Sequence, residues 1–210
     1  METALPALIA FVAAAALLTV TPGPDNALVL RTAAAEGARP ALGVALGISM
    51  GCLAWALLTA LGLSALLAAS ELAYTVLKWV GAAYLFWLGA KLVFKPRNSF
   101  ETGEATPEQG RNAAAWLVRG LLTNLLNPKV GVFYVSFLPQ FIPHGAPVAV
   151  WTTMLGVVHA GVGLVWFICM IAATRPIAAV LKRPAVVRWL DRVTGGVFLV
   201  FGLRLALERR

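Results

Sequence analysis

The stretch Thr21-Pro22-Gly23-Pro24-Asp25-Asn26 puts two prolines, a glycine and a carboxylate inside an otherwise apolar run from Leu5 to Leu30. That run cannot be one continuous helix. Pro22 and Pro24 each lack a backbone donor and crowd the turn before them, and Gly23 lets the chain leave helical angles. A second apolar run, Ala113 to Leu138, is interrupted in the same way at Asn127-Pro128-Lys129. The fold follows from these two interrupted runs, one in each half of the chain.

Composition identifies the solvent around them. Of 210 residues, 60% are hydrophobic and only 12% charged, and the mean hydropathy is +0.83. A soluble domain carries about 25% charged residues. Apolar runs of about 20 residues recur, and the alternation expected of strands does not appear. The expected fold class is all-α, a polytopic membrane protein.

Met1-Glu2-Thr3 lacks a basic leader and no small-residue cleavage site precedes the break, so Leu5 to Thr21 reads as a retained first span rather than a signal peptide. Arg31 to Pro40 reads as a short polar connection, Ala41 to Ala69 as the second span and, after a turn at Ser70-Glu71, Leu72 to Phe94 as the third. Lys95 to Gln109, rich in Pro, Glu and Gly, reads as a water-exposed linker. The apolar piece Val130 to Leu138 covers only about 13 Å of a hydrocarbon layer near 30 Å, so it must combine with Ala113 to Leu126 to make the fourth span. Val148 to Ala173 and Val186 to Leu207 complete six, joined by the basic Arg175 to Arg183.

Leu77 to Leu92 aligns without gaps on Leu190 to Leu205, so the third and sixth spans read as copies. An odd number of spans per half makes the halves run oppositely through the bilayer, which is the inverted-repeat plan of many transporters. The expectation is two inverted three-helix repeats, 1–94 and 113–210, with broken first and fourth helices and a cytoplasmic linker at 95–112. Gly43, Gly47 and Gly51 share one face of the second span, where another backbone can approach. That face serves either a neighbouring helix of the same chain, the reading the sequence favours, or a homodimer. Arginines and lysines fall in the first, third and fifth connections and not in the second and fourth, which places the odd connections in the cytoplasm and both termini outside. The net charge of +8 then belongs to topology and membrane lipid, and needs no nucleic-acid partner.

Several motifs together resemble the LysE/RhtB family of amino-acid exporters. They are Thr21-Pro22-Gly23-Pro24-Asp25, the Lys78-Trp79-Val80-Gly81-Ala82-Ala83-Tyr84-Leu85 stretch, and Leu125-Leu126-Asn127-Pro128-Lys129 followed by Phe137-Leu138-Pro139-Gln140-Phe141. The resemblance implies a six-span exporter of amino acids or close derivatives in the bacterial inner membrane, driven by the proton or another ion gradient, with the proton gradient expected. Where many members carry an acidic residue in the fifth span, this chain has His159, Gly161 and Gly163 and no carboxylate.

Mid-bilayer charges cost at least ~2.5 kcal/mol by insertion scales, so Asp25 and Lys129 should face a protein interior or a wet cavity. Each can cap a half-helix; together they can bind a zwitterion, its ammonium at Asp25 and its carboxylate at Lys129 or at free backbone donors after Pro24. The expected substrate site is Pro22, Gly23, Pro24, Asp25, Asn26, Asn124, Asn127, Pro128 and Lys129. Asp25 and His159 are the candidates for coupling, although a neutral histidine bonded to a facing helix is the favoured reading of His159. No cofactor or metal is called for, and neither is a catalytic group. The rival function is a membrane thiol-disulfide carrier using Cys52 and Cys169, which would have to approach each other; both read more simply as packing residues.

Overall fold

The computed structural model describes residues 4–69, 71–96, 112–143, 145–174, 179–180 and 183–207. Every regular element among the described residues is helical: α1 (Ala4–Val20), α2 (Pro24–Ala35), α3 (Ala38–Ala69), α4 (Glu71–Phe94), α5 (Ala113–Leu125), α6 (Pro128–Val132), α7 (Val148–Ala172) and α8 (Pro184–Leu207), with a π-helix at Phe133–Phe137 and a 3₁₀ turn at Leu138–Phe141 between α6 and α7. Ser70, His144, nearly all of the linker and most of the basic connection before α8 lie outside the described residues.

The first break is where the prolines demand it. Gly23 is extended, Pro24 occupies the first turn of α2, where no amide partner is missed, and the two helices meet at 55°. The polar connection expected at Arg31–Pro40 is shorter than the sequence reading had it. Arg31 and three alanines, good helix formers, carry α2 on with Thr32 among them, and the chain turns only at Glu36-Gly37, Gly37 having φ 90. Pro40 lies in the first turn of α3, where it does no harm.

The second break also departs from the expected apolar helix over Val130–Leu138. Only five residues after Asn127 are α-helical before the backbone widens into the π-helix. Pro139 cannot donate to the Val135 carbonyl and would crowd it, so the chain adopts wider and then tighter turns around it. Leu138 N donates to Phe133 O, and the Gln140 side chain donates to Ser136 O at 3.0 Å. The widened turn sends Phe133, Tyr134 and Phe137 into one aromatic core with Phe11, Phe141 and Phe201.

Small residues set the packing. A Cβ on Gly47 would fall on the Leu117 carbonyl oxygen, one on Gly120 on that of Val44, and one on Gly51 within 2.9 Å of the Asn124 side chain. The glycine face of α3 is therefore filled by α5, running parallel to it. Helices α4 and α8 run antiparallel. Gly89 and Gly195 touch backbone to backbone, and the residues aligned with them in the internal repeat, Gly202 and Ala82, meet farther along the same interface. Among the described residues, Ala38–Gly62 and Val148–Ala172 are long and apolar enough to cross a membrane, and the bent pair α1 and α2 is a third when counted together. The outer faces of α3 (Leu46, Met50, Leu57, Leu61) and α7 (Val150, Val157, Val165, Ile168) are exposed and apolar, as a lipid solvent requires.

Candidate functional site

Pro22 lacks the amide that would have bonded the Leu18 carbonyl. Lys129, from the second break, takes its place: its Nζ donates to Leu18 O and to Thr21 O, each at 3.0 Å. The C-terminal end of α1 is the negative end of its dipole, so an ammonium there is doubly suited. Gly23 makes room, since a Cβ at that position would lie 3.1 Å from Lys129 Nζ. Asn26, 2% exposed, laces the same break by donating to Thr19 O at 2.9 Å and Thr21 O at 3.0 Å. Its own oxygen accepts from Trp166 Nε1 at 3.2 Å. Thr21 Oγ1 and Thr194 Oγ1, 2.5 Å apart, tie the break to α8.

The second break reaches the first through Asn124 as well. This wholly buried residue donates from Nδ2 to Asp25 Oδ2 at 2.8 Å. Asn127 caps α6, its Oδ1 accepting from Lys129 N at 3.1 Å, and Pro128 fills the first helical position. Asp25, Asn26, Asn124, Lys129, Cys52 and His159 line one small cavity of about 30 Å³, which brings the two charged residues to the same space. A cavity of that size holds about two waters. Three residues of the cavity wall, Asp25, Asn124 and Thr19, each carry a buried oxygen without a hydrogen-bond partner: Asp25 Oδ1, Asn124 Oδ1 and Thr19 Oγ1. Unpaired buried acceptors of this kind suit a cationic donor.

His159 is buried and shares a hydrogen bond of 3.0 Å between Nδ1 and the Tyr134 hydroxyl, with the Phe133 ring centroid 4.9 Å from its own. The facing partner expected for it therefore comes from the π-helix. Pro22, Gly23 and Pro24 shape the first break, Asn127 and Pro128 the second, and Asp25, Asn124 and Lys129 meet between them. Sequence reading missed Thr19, Tyr134, Trp166 and Thr194. A tryptophan in mid-span, away from the headgroup level, was the available signal for Trp166; nothing marks the threonines among their apolar neighbours. Cys52 lies in the cavity wall and Cys169 is exposed, both as free thiols.

No solved structure matches the chain. The homoserine/homoserine lactone efflux protein of Salmonella typhimurium is 30% identical over 200 residues, covering 95% of this chain and 96% of that one. The leucine efflux protein of Enterobacter is 34% identical over 140 residues, 63% of this chain and 62% of its own. The threonine efflux protein of Salmonella typhi is 27% identical across 90% of this chain and 92% of its own. A family model described as LysE type translocator matches residues 16–209, the span that holds both breaks and every helix after them, and the chain belongs to the LysE family.

Proposed function

We propose that the chain exports amino acids or close derivatives across the bacterial inner membrane, driven by the proton gradient, with the substrate held between the two breaks near the membrane midplane. The observation that carries this reading is the contact between the breaks: Lys129 holds the carbonyls of the first, and Asn124 holds Asp25. The names of the homoserine, leucine and threonine efflux relatives support the substrate class. The antiparallel α4 and α8 pairing, with aligned residues in matching contacts, supports two inverted three-helix repeats at 1–94 and 113–210 joined by 95–112. The basic residues of the odd connections then place both termini on the outer side.

A zwitterion enters by exchanging existing contacts for its own. Its ammonium takes the free Asp25 Oδ1, and its carboxylate takes Lys129, drawing the lysine from the α1 carbonyls. Those bonds join the halves, so occupancy alters how firmly they hold together, and the differential contact can drive rocking about the site. Between cycles Asp25 carries a proton in place of the substrate ammonium, which couples export to proton entry.

The test is reconstitution in liposomes loaded with single amino acids. Imposing a proton gradient should accelerate release of one or a few of them, and a protonophore should abolish the acceleration. No release of any amino acid under any gradient sinks the proposal. No observation favours the thiol carrier, and Cys52→Ala combined with Cys169→Ala should retain at least half of the export rate. If the double variant loses export along with a measurable thiol-oxidising activity, the carrier reading replaces this one.

A further inference from the structure

Most glycines inside these helices are explained by a close neighbour or by an open outer face. A Cβ on Gly47, Gly51, Gly89, Gly120, Gly156 or Gly195 would come within 3.0 Å of another helix. Gly62, Gly161 and Gly196 have nothing within 4 Å and are not buried. Gly163 belongs to neither group. It is buried in the interior of α7, yet a Cβ there would meet only the Phe167 ring of its own helix, at 3.8 Å. Glycine weakens a helix interior, and here no neighbouring helix requires it.

The space beside Gly163 belongs to the cavity between the breaks. His159, Gly163 and Phe167 follow one another at four-residue spacing on one face of α7, and all three line that cavity together with Asp25 and Lys129. Ile48 and Cys52 bring α3 to the same space. Two turns before Gly163 the seam between α7 and α3 is closed, with Gly156 against Ala56, whereas at Gly163 no atom of another helix comes within 4 Å of the Cβ position. The cavity of about 30 Å³ holds only about two waters, so a bound amino acid must widen it. Lys129 and Asn26 lace the wall made by the first break, and α5 is locked onto α3 through Gly47, Gly51 and Gly120. The slack is in the α7 wall.

We infer that Gly163 is the notch that receives the side chain of the transported amino acid, and that it admits short aliphatic side chains and rejects aromatic ones. The inference rests on the export reading above and deepens it. With the substrate ammonium at Asp25 Oδ1, a buried oxygen without a partner, the substrate's Cα and Cβ stay in the same cavity, and the wall they can approach most closely is a glycine. His159 bounds the notch on one side and is held there by its 3.0 Å hydrogen bond with the Tyr134 hydroxyl. Phe167 bounds the other. Helical side chains lean toward the N-terminus, and its ring accordingly reaches back to within 3.8 Å of the Gly163 Cβ position. That spacing suits methylene groups and leaves no room for a second ring. Phe167 is 4% exposed and packed in the core, so it does not simply swing aside. One methylene more or less in such a pocket is worth about 10- to 200-fold in selectivity.

The test uses counterflow in proteoliposomes with alanine, leucine and phenylalanine as probes. The wild type should move alanine and leucine in preference to phenylalanine. Gly163→Ala puts one methyl group into the notch without meeting another helix, and should lower the leucine-to-alanine ratio at least tenfold. Phe167→Leu opens the far side and should raise phenylalanine relative to leucine several-fold; it reads the same property if the alanine variant does not fold. Gly161→Ala, on the exposed face of α7, should leave both ratios as they are. Ratios unchanged in both notch variants, equal losses for all probes, or a wild type that prefers phenylalanine overturn the inference while leaving export intact. Wild-type vesicles that move another amino acid but none of the three also overturn it, and vesicles that move no amino acid at all overturn the export reading as well.

Discussion

Gly47→Leu is expected to leave little folded protein in the membrane, with Gly62→Leu in the same helix close to wild type. At Gly47 a Cβ alone would fall on the Leu117 carbonyl oxygen and lie 2.8 Å from Leu121 N, so the obstacle is the backbone of α5 and no rotamer change relieves it. At Gly62 nothing lies within 4 Å. In lipid the helices gain nothing from leaving water, so association depends on close packing, and small residues are what permit it. Overpacking a core costs about 1–3 kcal/mol when side chains can yield; here a helix must move, and the upper end is the minimum. The displaced helix also carries Asn124, so the damage reaches Asp25. Fluorescence-detected size exclusion in mild detergent should show aggregation for Gly47→Leu and a normal peak for Gly62→Leu. A normal peak with altered substrate choice for Gly47→Leu would contradict the packing argument.

Much of this arrangement was legible in the sequence because backbone chemistry announces itself. Proline inside an apolar run stops a helix or starts the next one, so Pro22-Gly23-Pro24 and Asn127-Pro128 marked both breaks from the sequence alone. Charges are rare enough in lipid that Asp25 and Lys129 stood out, and the Gly43, Gly47, Gly51 spacing located the contact that α5 fills. What could not be read depends on partners distant in sequence. Whether Asn26 would bind a ligand or satisfy the carbonyls beside it depends on where Thr19, Thr21 and Trp166 end up. The π-helix arises from packing Phe133, Tyr134 and Phe137 ahead of Pro139, which periodicity treats as an ordinary apolar run. Arg31 to Ala35 looked like a connection because polarity was weighed above helix propensity; burial of Thr32 against its neighbours decided otherwise.

Asp25→Asn and Lys129→Met are each expected to abolish export, and the two should fail differently. Asparagine at position 25 keeps an oxygen for the Asn124 amide at its 2.8 Å geometry, so the bundle should fold and reach the membrane normally. What it loses is the charge that meets the substrate ammonium, and a hydrogen bond to a charged group is worth about 1.5–3 kcal/mol, or roughly 10- to 150-fold in affinity. Lys129→Met removes two donors at once, leaving the Leu18 carbonyl with neither the Pro22 amide nor an ammonium. It also strips Asp25 of its countercharge in a medium where an isolated charge costs at least ~2.5 kcal/mol. This variant should therefore lose thermal stability as well as transport. Lys129→Asp should be worse than Lys129→Met, since it would present carboxylate oxygens to the α1 carbonyls. Substrate binding by tryptophan fluorescence, read beside melting in detergent, separates the two effects. Full export by Lys129→Met with a lowered melting point would leave the lysine as a cap on α1 and remove it from the substrate path.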